Sequence, residues 1–149
     1  MCDNYVAETE TAKRGDMPKE FFEPPEGFNP FGDLLGIVFT AYGGGRSRCE
    51  LEARRELINP HGVLHGGVVY SMVDFGMGAA LYSVMEEKEL CATVEIKITY
   101  LRSVKEGKLI CDSEVVDRRR RIAVLESEVR NGDEIVAKAL GTFYVYDAG

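Results

Sequence analysis

From position 34 onward the chain carries two different hydrophobic periods. LLGIVFTAY at 34–42 is rich in β-formers, and the glycines at 43–45 mark a turn or bulge. Within 46–57, Cys49, Leu51 and Ala53 alternate with Arg48, Glu50, Glu52 and Arg54, the pattern of a half-buried strand. Period two returns at 91–101, where Ala92, Val94, Ile96, Ile98 and Tyr100 alternate with Cys91, Thr93, Glu95, Lys97 and Thr99. Further strands are predicted at about 108–117, 120–130 and 134–146, with a turn at Asn131-Gly132. In the last of them Ile135, Ala137, Ala139, Gly141, Phe143 and Val145 share a face.

Between these two groups the period changes. The loop NPHGVLHGG at 59–67 leads into VVYSMVDFGMGAALYSVMEE at 68–87, in which Asp74 is the sole charge before Glu86. A helix of this length would run about 30 Å and, being apolar nearly all round, must be surrounded by protein. Gly76 and Gly78 weaken helix propensity but allow close approach to a sheet. One long helix and about six strands, mostly hairpin-linked, predict an α+β fold in which an antiparallel sheet wraps around the helix. One helix covers only part of such a sheet, so pairing between subunits is expected.

Composition narrows the class. A chain of 149 residues, 45% hydrophobic, suits one domain with its own core. No apolar run approaches the roughly 20 residues of a membrane span. The N-terminal MCDNYVAETE lacks the basic-then-apolar pattern of an export signal, so a cytoplasmic location is expected. Cys2, Cys49, Cys91 and Cys111 form no CxxC pair, and with two histidines a zinc site is hard to assemble. Cys49, Cys91 and Cys111 fall in apolar-alternating stretches, which predicts buried free thiols in a reducing compartment. The net charge of −7 argues against nucleic acid. That charge is uneven, however. Residues 1–33 hold eight acids and three bases, whereas 34–149 hold 17 acids and 15 bases. Residues 1–33 therefore read as an acidic leader, flexible or loosely docked, with a helical turn at 21–23. Residues 34–149 read as the domain proper.

The candidate chemistry lies where loop meets helix. His65-Gly66-Gly67 places unpaired backbone N–H groups and the positive end of a helix dipole at a surface that a ligand can approach closely. Such donors stabilise an oxyanion developing on a carbonyl. Asp74, two turns on, is a carboxylate in apolar surroundings, costly unless paired or in use.

Asn59-x5-His65-Gly66-Gly67-x6-Asp74, followed by Thr93-x-Glu95-x3-Thr99-Tyr100-Leu101-Arg102, resembles the hotdog-fold acyl-CoA thioesterases. The resemblance is to the PaaI-like (phenylacetate-degradation) subgroup of the 4-hydroxybenzoyl-CoA thioesterase superfamily, and it covers residues 34–146. It implies a hotdog fold and hydrolysis of an acyl- or aroyl-CoA to free acid and CoA, with no metal or redox cofactor. By position, Asp74 matches the family's general base or nucleophile. Gly66 matches the N–H that polarises the thioester carbonyl, and Asn59 a side chain that positions water or thioester. Thr93 matches a supporting hydroxyl, and His65 orients the loop. The resemblance also implies a homo-oligomer, a dimer or a dimer of dimers, whose site takes Asp74 from one subunit and Asn59 and Gly66 from the other.

Gly67, Val68, Tyr100 and Arg102 are expected to bind substrate, and Val68, Val69, Met72 and Met77 to line an acyl slot. Arg118, Arg119 and Arg120, within a run of four arginines, are candidates for the CoA phosphates, as is Lys105. Strand alternation lets only 118 and 120, or 119 and 121, share a face. Relatives often have a glycine near this bend, where the chain reads DRRRRIA. His61 reads as a loop residue. A hotdog hydratase/dehydratase and a non-catalytic acyl-CoA sensor are the competing readings. No histidine follows His65, which weighs against the first, and the presence of Asp74 weighs against the second.

The charge distribution yields a prediction. Deleting residues 1–27 should keep activity and lower the apparent KM for acyl-CoA at low salt, measured by steady-state kinetics at two ionic strengths.

Overall fold

A computed structural model describes Gly27 and residues 29–149. The expectations for residues 1–26, including the helical turn at 21–23, and for Cys2 lie outside the described residues. In chain order the elements are helix α1 (Pro30–Leu35), strands β1 (Val38–Gly43) and β2 (Arg46–Glu52), a 3-10 turn (Arg55–Leu57) and helix α2 (Gly66–Tyr82). Strands β3 (Glu89–Tyr100), β4 (Lys108–Arg118), β5 (Ile122–Asn131) and β6 (Glu134–Asp147) complete the chain. All six strands form one antiparallel sheet in the order β1-β2-β4-β5-β6-β3, with α2 against one face. This is the hotdog arrangement.

The N-terminal part differs from the expectation of a strand from residue 34. Asn29 caps α1 by accepting from the Gly32 N–H at 3.2 Å, Pro30 starts it, and Gly36 ends it in the left-handed region at φ 77°. The Arg54 guanidinium then donates to the Leu34 and Leu35 carbonyls. The helix straddles the 33/34 boundary, so the folded part of the described chain begins a few residues before position 34.

Helix α2 is 17 residues long and stops at Tyr82, five residues short of the expected end. There Ser83 bonds the Ala80 carbonyl at 2.7 Å and accepts from the Gly45 N–H at 2.9 Å, pinning the helix end to the β1–β2 turn. Val68, Val69, Met72, Val73, Gly76, Met77, Ala80 and Leu81 are buried against the sheet. The expectation that protein surrounds the helix fails within one chain, because Tyr70 and Tyr82 are exposed and Asp74 only half-buried.

Gly76 is the contact that seats the helix. A Cβ there would stand 2.5 Å from Ser113 Oγ and 3.4 Å from Cys111 Sγ. The Ser47 hydroxyl donates to the Gly76 carbonyl at 2.6 Å, and Ser113 and Ser127 share a buried hydrogen bond of 2.6 Å. These serines are buried but satisfied, as polar groups in a core must be. Gly78, by contrast, has nothing near the Cβ position and lies on the open side of the helix.

Two bulges shift the strand phases read from the sequence. In β3, Thr93 pairs with Phe143 and Glu95 with Thr142, which leaves Val94 unmatched. Cys91 and Thr93 therefore face the helix before the bulge, and Ile96, Ile98 and Tyr100 face it afterwards, opposite Gly141, Ala139 and Ala137. A second bulge, where Val129 pairs with Ala137 and Arg130 with Ile135, buries Val136 and takes Ile135 off the shared face. Cys49 and Cys111 are directly opposed and buried, and Cys91 is half-buried; all three are free thiols. A hydrogen bond with Cys111, together with burial, pushes the Cys49 thiol well up, so it serves as packing.

The helix seat is testable. Gly76→Ala should cost about 1–3 kcal/mol despite the better helix propensity of alanine, because Ser113 must move and its bond to Ser127 is lost. Urea denaturation of both proteins measures this difference.

Candidate functional site

Asp74 leaves α2 toward β3, and its Oδ1 accepts a hydrogen bond from the Thr93 hydroxyl at 2.7 Å. The Val94 bulge makes that bond geometrically available, since strict alternation from Tyr100 would have turned Thr93 to the other face. With Oδ1 fixed by Thr93, Oδ2 of the carboxylate is left to act on a second group.

The other half of the site is the start of α2. The loop before it is closed by its own hydrogen bonds. Asn59 Oδ1 accepts from the His61 N–H at 2.9 Å and the Val63 N–H at 3.4 Å, and the Asn59 N–H bonds the Val63 carbonyl at 2.8 Å. The Asn59 carbonyl end is thus committed to the loop, and its amide N–H groups are the part able to reach a ligand. The loop is anchored by His65 N–H to Leu57 O at 2.9 Å and Leu64 N–H to Val104 O at 2.7 Å. His65 caps the helix, its Nδ1 accepting from the Gly67 N–H at 2.8 Å. Gly66 is the first helical residue, where an N–H has no partner within the helix. The Gly66 carbonyl accepts from the Tyr100 hydroxyl at 2.7 Å. Beside it opens a cavity of about 300 Å³ bordered by Gly66, Val69, Tyr100, Arg102 and Val136.

Two clusters emerge, Asp74 with Thr93, and Gly66 with Gly67, His65 and Tyr100. They do not meet within one chain. Gly66 and Asp74 are eight residues apart on the same helix, a rise of about 12 Å. A carbonyl bound at one cannot be attacked by a water held at the other.

Other sequence expectations are corrected or relocated. Val68, Met72 and Met77 are buried in the core between α2 and the sheet; of the four residues expected to line a slot, Val69 alone borders the cavity. Arg118, the last residue of β4, bonds the Val84 carbonyl and the Glu89 carboxylate, so its charge is already used in holding the end of α2 to β3. Arg119 pairs with Asp117 at 2.9 Å, Arg121 bonds the Tyr144 hydroxyl at 2.8 Å, and Arg120 stands exposed in the turn. The run spans a strand end and a tight turn, so the alternation assumed for it does not hold. Arg102 donates to the Ile135 carbonyl at 3.0 Å and lies 3.5 Å from Glu134. Glu95 faces the outer side of the sheet and accepts from Thr142 at 2.9 Å. Lys105 is exposed.

Sequence reading missed two features here. One is the side on which Thr93 lies, hidden by the bulge. The other is α1, whose Phe31 ring meets Phe75, the neighbour of Asp74, at 6.1 Å. Asn29-Pro30 and Gly36 were the signals for it. A larger recess of about 770 Å³ lies on the outer face of the sheet, away from Asp74. Some of its charges are cross-paired, as in Arg48–Asp112 at 2.6 Å and Lys138–Glu128 at 3.0 Å, while Glu114 and Glu126 stand directly opposite each other. Among the described residues no cluster of His, Cys, Asp and Glu could hold a metal ion, and no helix is long and apolar enough to cross a membrane.

Comparison with known proteins bears on both halves. Residues 61–138 match the thioesterase superfamily, a span that includes His65, Gly66, Asp74 and Thr93. A Saccharolobus solfataricus protein named "Putative esterase SSO1253" is 34% identical over 128 residues, covering 85% of this chain and 82% of its own. Among solved structures, the conserved protein PA5202 of Pseudomonas aeruginosa is 33% identical with a TM-score of 0.76, over 91% of this chain and all (100%) of that one. The N33D variant of the phenylacetic acid degradation protein PaaI from Thermus thermophilus shares the fold at 24% identity and a TM-score of 0.73, over 78% and 98% of the two chains.

If Arg118 is structural, Arg118→Gln should lower stability by about 1–2 kcal/mol, because Glu89 and the Val84 carbonyl lose a charged donor. Thermal unfolding of the variant and the parent checks this.

Proposed function

The chain belongs to the thioesterase superfamily, and within that chemistry we propose that it hydrolyses acyl- or aroyl-CoA thioesters at a site shared by two copies of itself. The observation that carries the reading is the separation of its two clusters along one helix. Asp74 and Gly66 suit the two ends of one hydrolytic reaction, yet about 12 Å of helix keeps them apart in a single chain. A second protomer, packed so that its Gly66 meets this Asp74, closes the gap. Two such sites follow from a two-fold axis.

Three features of the single chain support that partner. The face of α2 bearing Asp74 is open, and β3 is an edge strand of 12 residues. Val94, 59% exposed, and Leu90, 43% exposed, sit on that edge. Long edges with apolar side chains invite pairing. We propose a homodimer formed along this side, with a dimer of dimers as the larger assembly.

In the shared site the Gly66 N–H, at the positive end of α2, binds the thioester oxygen and stabilises the negative charge that grows there during attack. Asp74 Oδ2 either takes the proton from an attacking water or attacks the carbonyl carbon itself, forming a mixed anhydride that water then cleaves to the free acid and the regenerated carboxylate. Thr93 fixes the carboxylate in both cases. Asn59, through its amide N–H groups, orients the water or the thioester. The bond that breaks is the carbonyl carbon–sulfur bond. A thiolate leaves readily because thiols are acidic, with a pKa of about 8.5, so no strong acid is needed on that side. No step in this scheme calls for a metal or a redox cofactor. Arg102, beside the Gly66 cavity, and Arg120, exposed in its turn, remain candidates for the CoA phosphates. Arg118 is the weakest of that group, since its charge is spent on Glu89.

Asp74→Asn should abolish thiol release over an acyl-CoA panel while leaving the fold and CoA-ester binding largely intact. Full activity in that variant removes Asp74 from the mechanism. The shared site has its own signature. Co-refolding Asp74→Asn with Gly66→Ala chains should restore about one quarter of wild-type activity, since half the dimers are mixed and each of those has one intact site. A site contained in one chain would recover none.

A further inference from the structure

We propose that Tyr100 is a positioning residue for the oxyanion donor, its hydroxyl locking the orientation of the Gly66 backbone; the inference rests on the reading of Gly66 given above. The reason lies in the two glycines that open α2. Without side chains, the peptide planes on either side of Gly66 turn easily, and at a helix start the first N–H groups have no intrahelical partners to hold them. The plane carrying the Gly66 N–H also carries the His65 carbonyl, which accepts from the Val68 N–H at 2.9 Å. The next plane is held at both ends. Its Gly66 carbonyl accepts from the Tyr100 hydroxyl at 2.7 Å, and its Gly67 N–H donates to His65 Nδ1 at 2.8 Å.

The other restraints come from the loop and the helix themselves, the Gly66 carbonyl also accepting the i+4 bond of α2. Tyr100 alone belongs to the sheet, so its bond ties the donor to the rigid part of the fold. The Val94 bulge in the same strand brings Thr93 under Asp74, and β3 therefore supports both clusters. The Tyr100 ring also stands 3.2 Å from where a Gly66 Cβ would lie, so any side chain at 66 would displace the clamp. Tyr100 keeps its proton well into the alkaline range, since burial and then the neighbouring Tyr70 raise its pKa.

Ring and hydroxyl have separable duties. The ring forms part of the wall of the 300 Å³ cavity, and the hydroxyl aims the peptide. Tyr100→Phe keeps the wall and removes the bond. It should lower kcat about five- to tenfold with KM unchanged within about twofold, the size expected for one hydrogen bond felt in the transition state. The Gly67 amide resonance should shift in the same variant. Tyr100→Ala should raise KM as well. An unchanged kcat in Tyr100→Phe, or an unmoved Gly67 resonance, overturns the proposal. The unsubstituted protein gives an independent reading should the variant fail to fold. Its Tyr100 hydroxyl proton should be protected from exchange by the bond to the Gly66 carbonyl, and fast exchange overturns the clamp. If the wild-type protein releases no thiol from any CoA ester, the hydrolase reading fails, while the Tyr100 hydroxyl proton and the Gly67 shift in Tyr100→Phe still decide whether the clamp exists.

Discussion

The rest of the structure depends on how closely α2 lies on the sheet at Gly76. With no Cβ at that position, the helix backbone comes within hydrogen-bond reach of Ser47 and rests on Ser113, which is bonded in turn to Ser127. Everything on the helix is placed from this seat. Asp74 lies two residues before it and reaches Thr93 at 2.7 Å, a length with no slack. Gly66 lies at the start of the same rigid rod, against Tyr100. A helix held even one methyl group farther out would leave the carboxylate and the first turn without their sheet partners. The buried serines therefore do more than satisfy one another. They convert a packing distance into the geometry of a site.

The same seat explains why the molecule is one-sided. A single helix pressed on a six-stranded sheet buries one face of each and leaves the other face of the helix open. In an ordinary α+β domain that open face would be polar. Here it carries Tyr70, Gly78 and Tyr82 around a lone carboxylate, a composition suited to contact with another apolar surface rather than with water. Structural economy and proposed chemistry converge on this point. The surface left unfinished by the fold is the one bearing half of the reaction.

The broad architecture was legible because it rests on periodicity. Six strands and one helix are written in the alternation around Cys49 and Leu51 and in the apolar stretch around Asp74. What escaped were features produced by single residues. The bulges at Val94 and Val136 leave no mark on a hydrophobic pattern, since an inserted apolar residue looks like one more strand residue. Thr93 and Tyr100 were therefore read onto opposite faces when they share one. Helix α1 was hidden for another reason. LLGIV is β-prone on its own, and the local start signals at Asn29 and Pro30 and the stop signal at Gly36 outweigh it. The arginine run shows a third kind of limit. Four like charges in sequence suggest a shared task, but Arg118 and Arg121 turn to Glu89 and Tyr144, partners that tertiary folding alone brings near.

The bulge at Val94 carries a consequence for how this protein can change over time. Point substitutions along β3 alter which side chains stand beneath the helix, but they cannot alter which positions face it. That assignment is set by residue count. Removing one residue between Thr93 and Glu95 would turn the Cys91–Thr93 segment over relative to Ile96–Tyr100 while leaving the composition almost untouched. The reading frame of the strand is thus itself part of the design, and an insertion or deletion there disturbs it more than a replacement does. At Val94 the presence of a residue, more than its side chain, decides what stands beneath the helix.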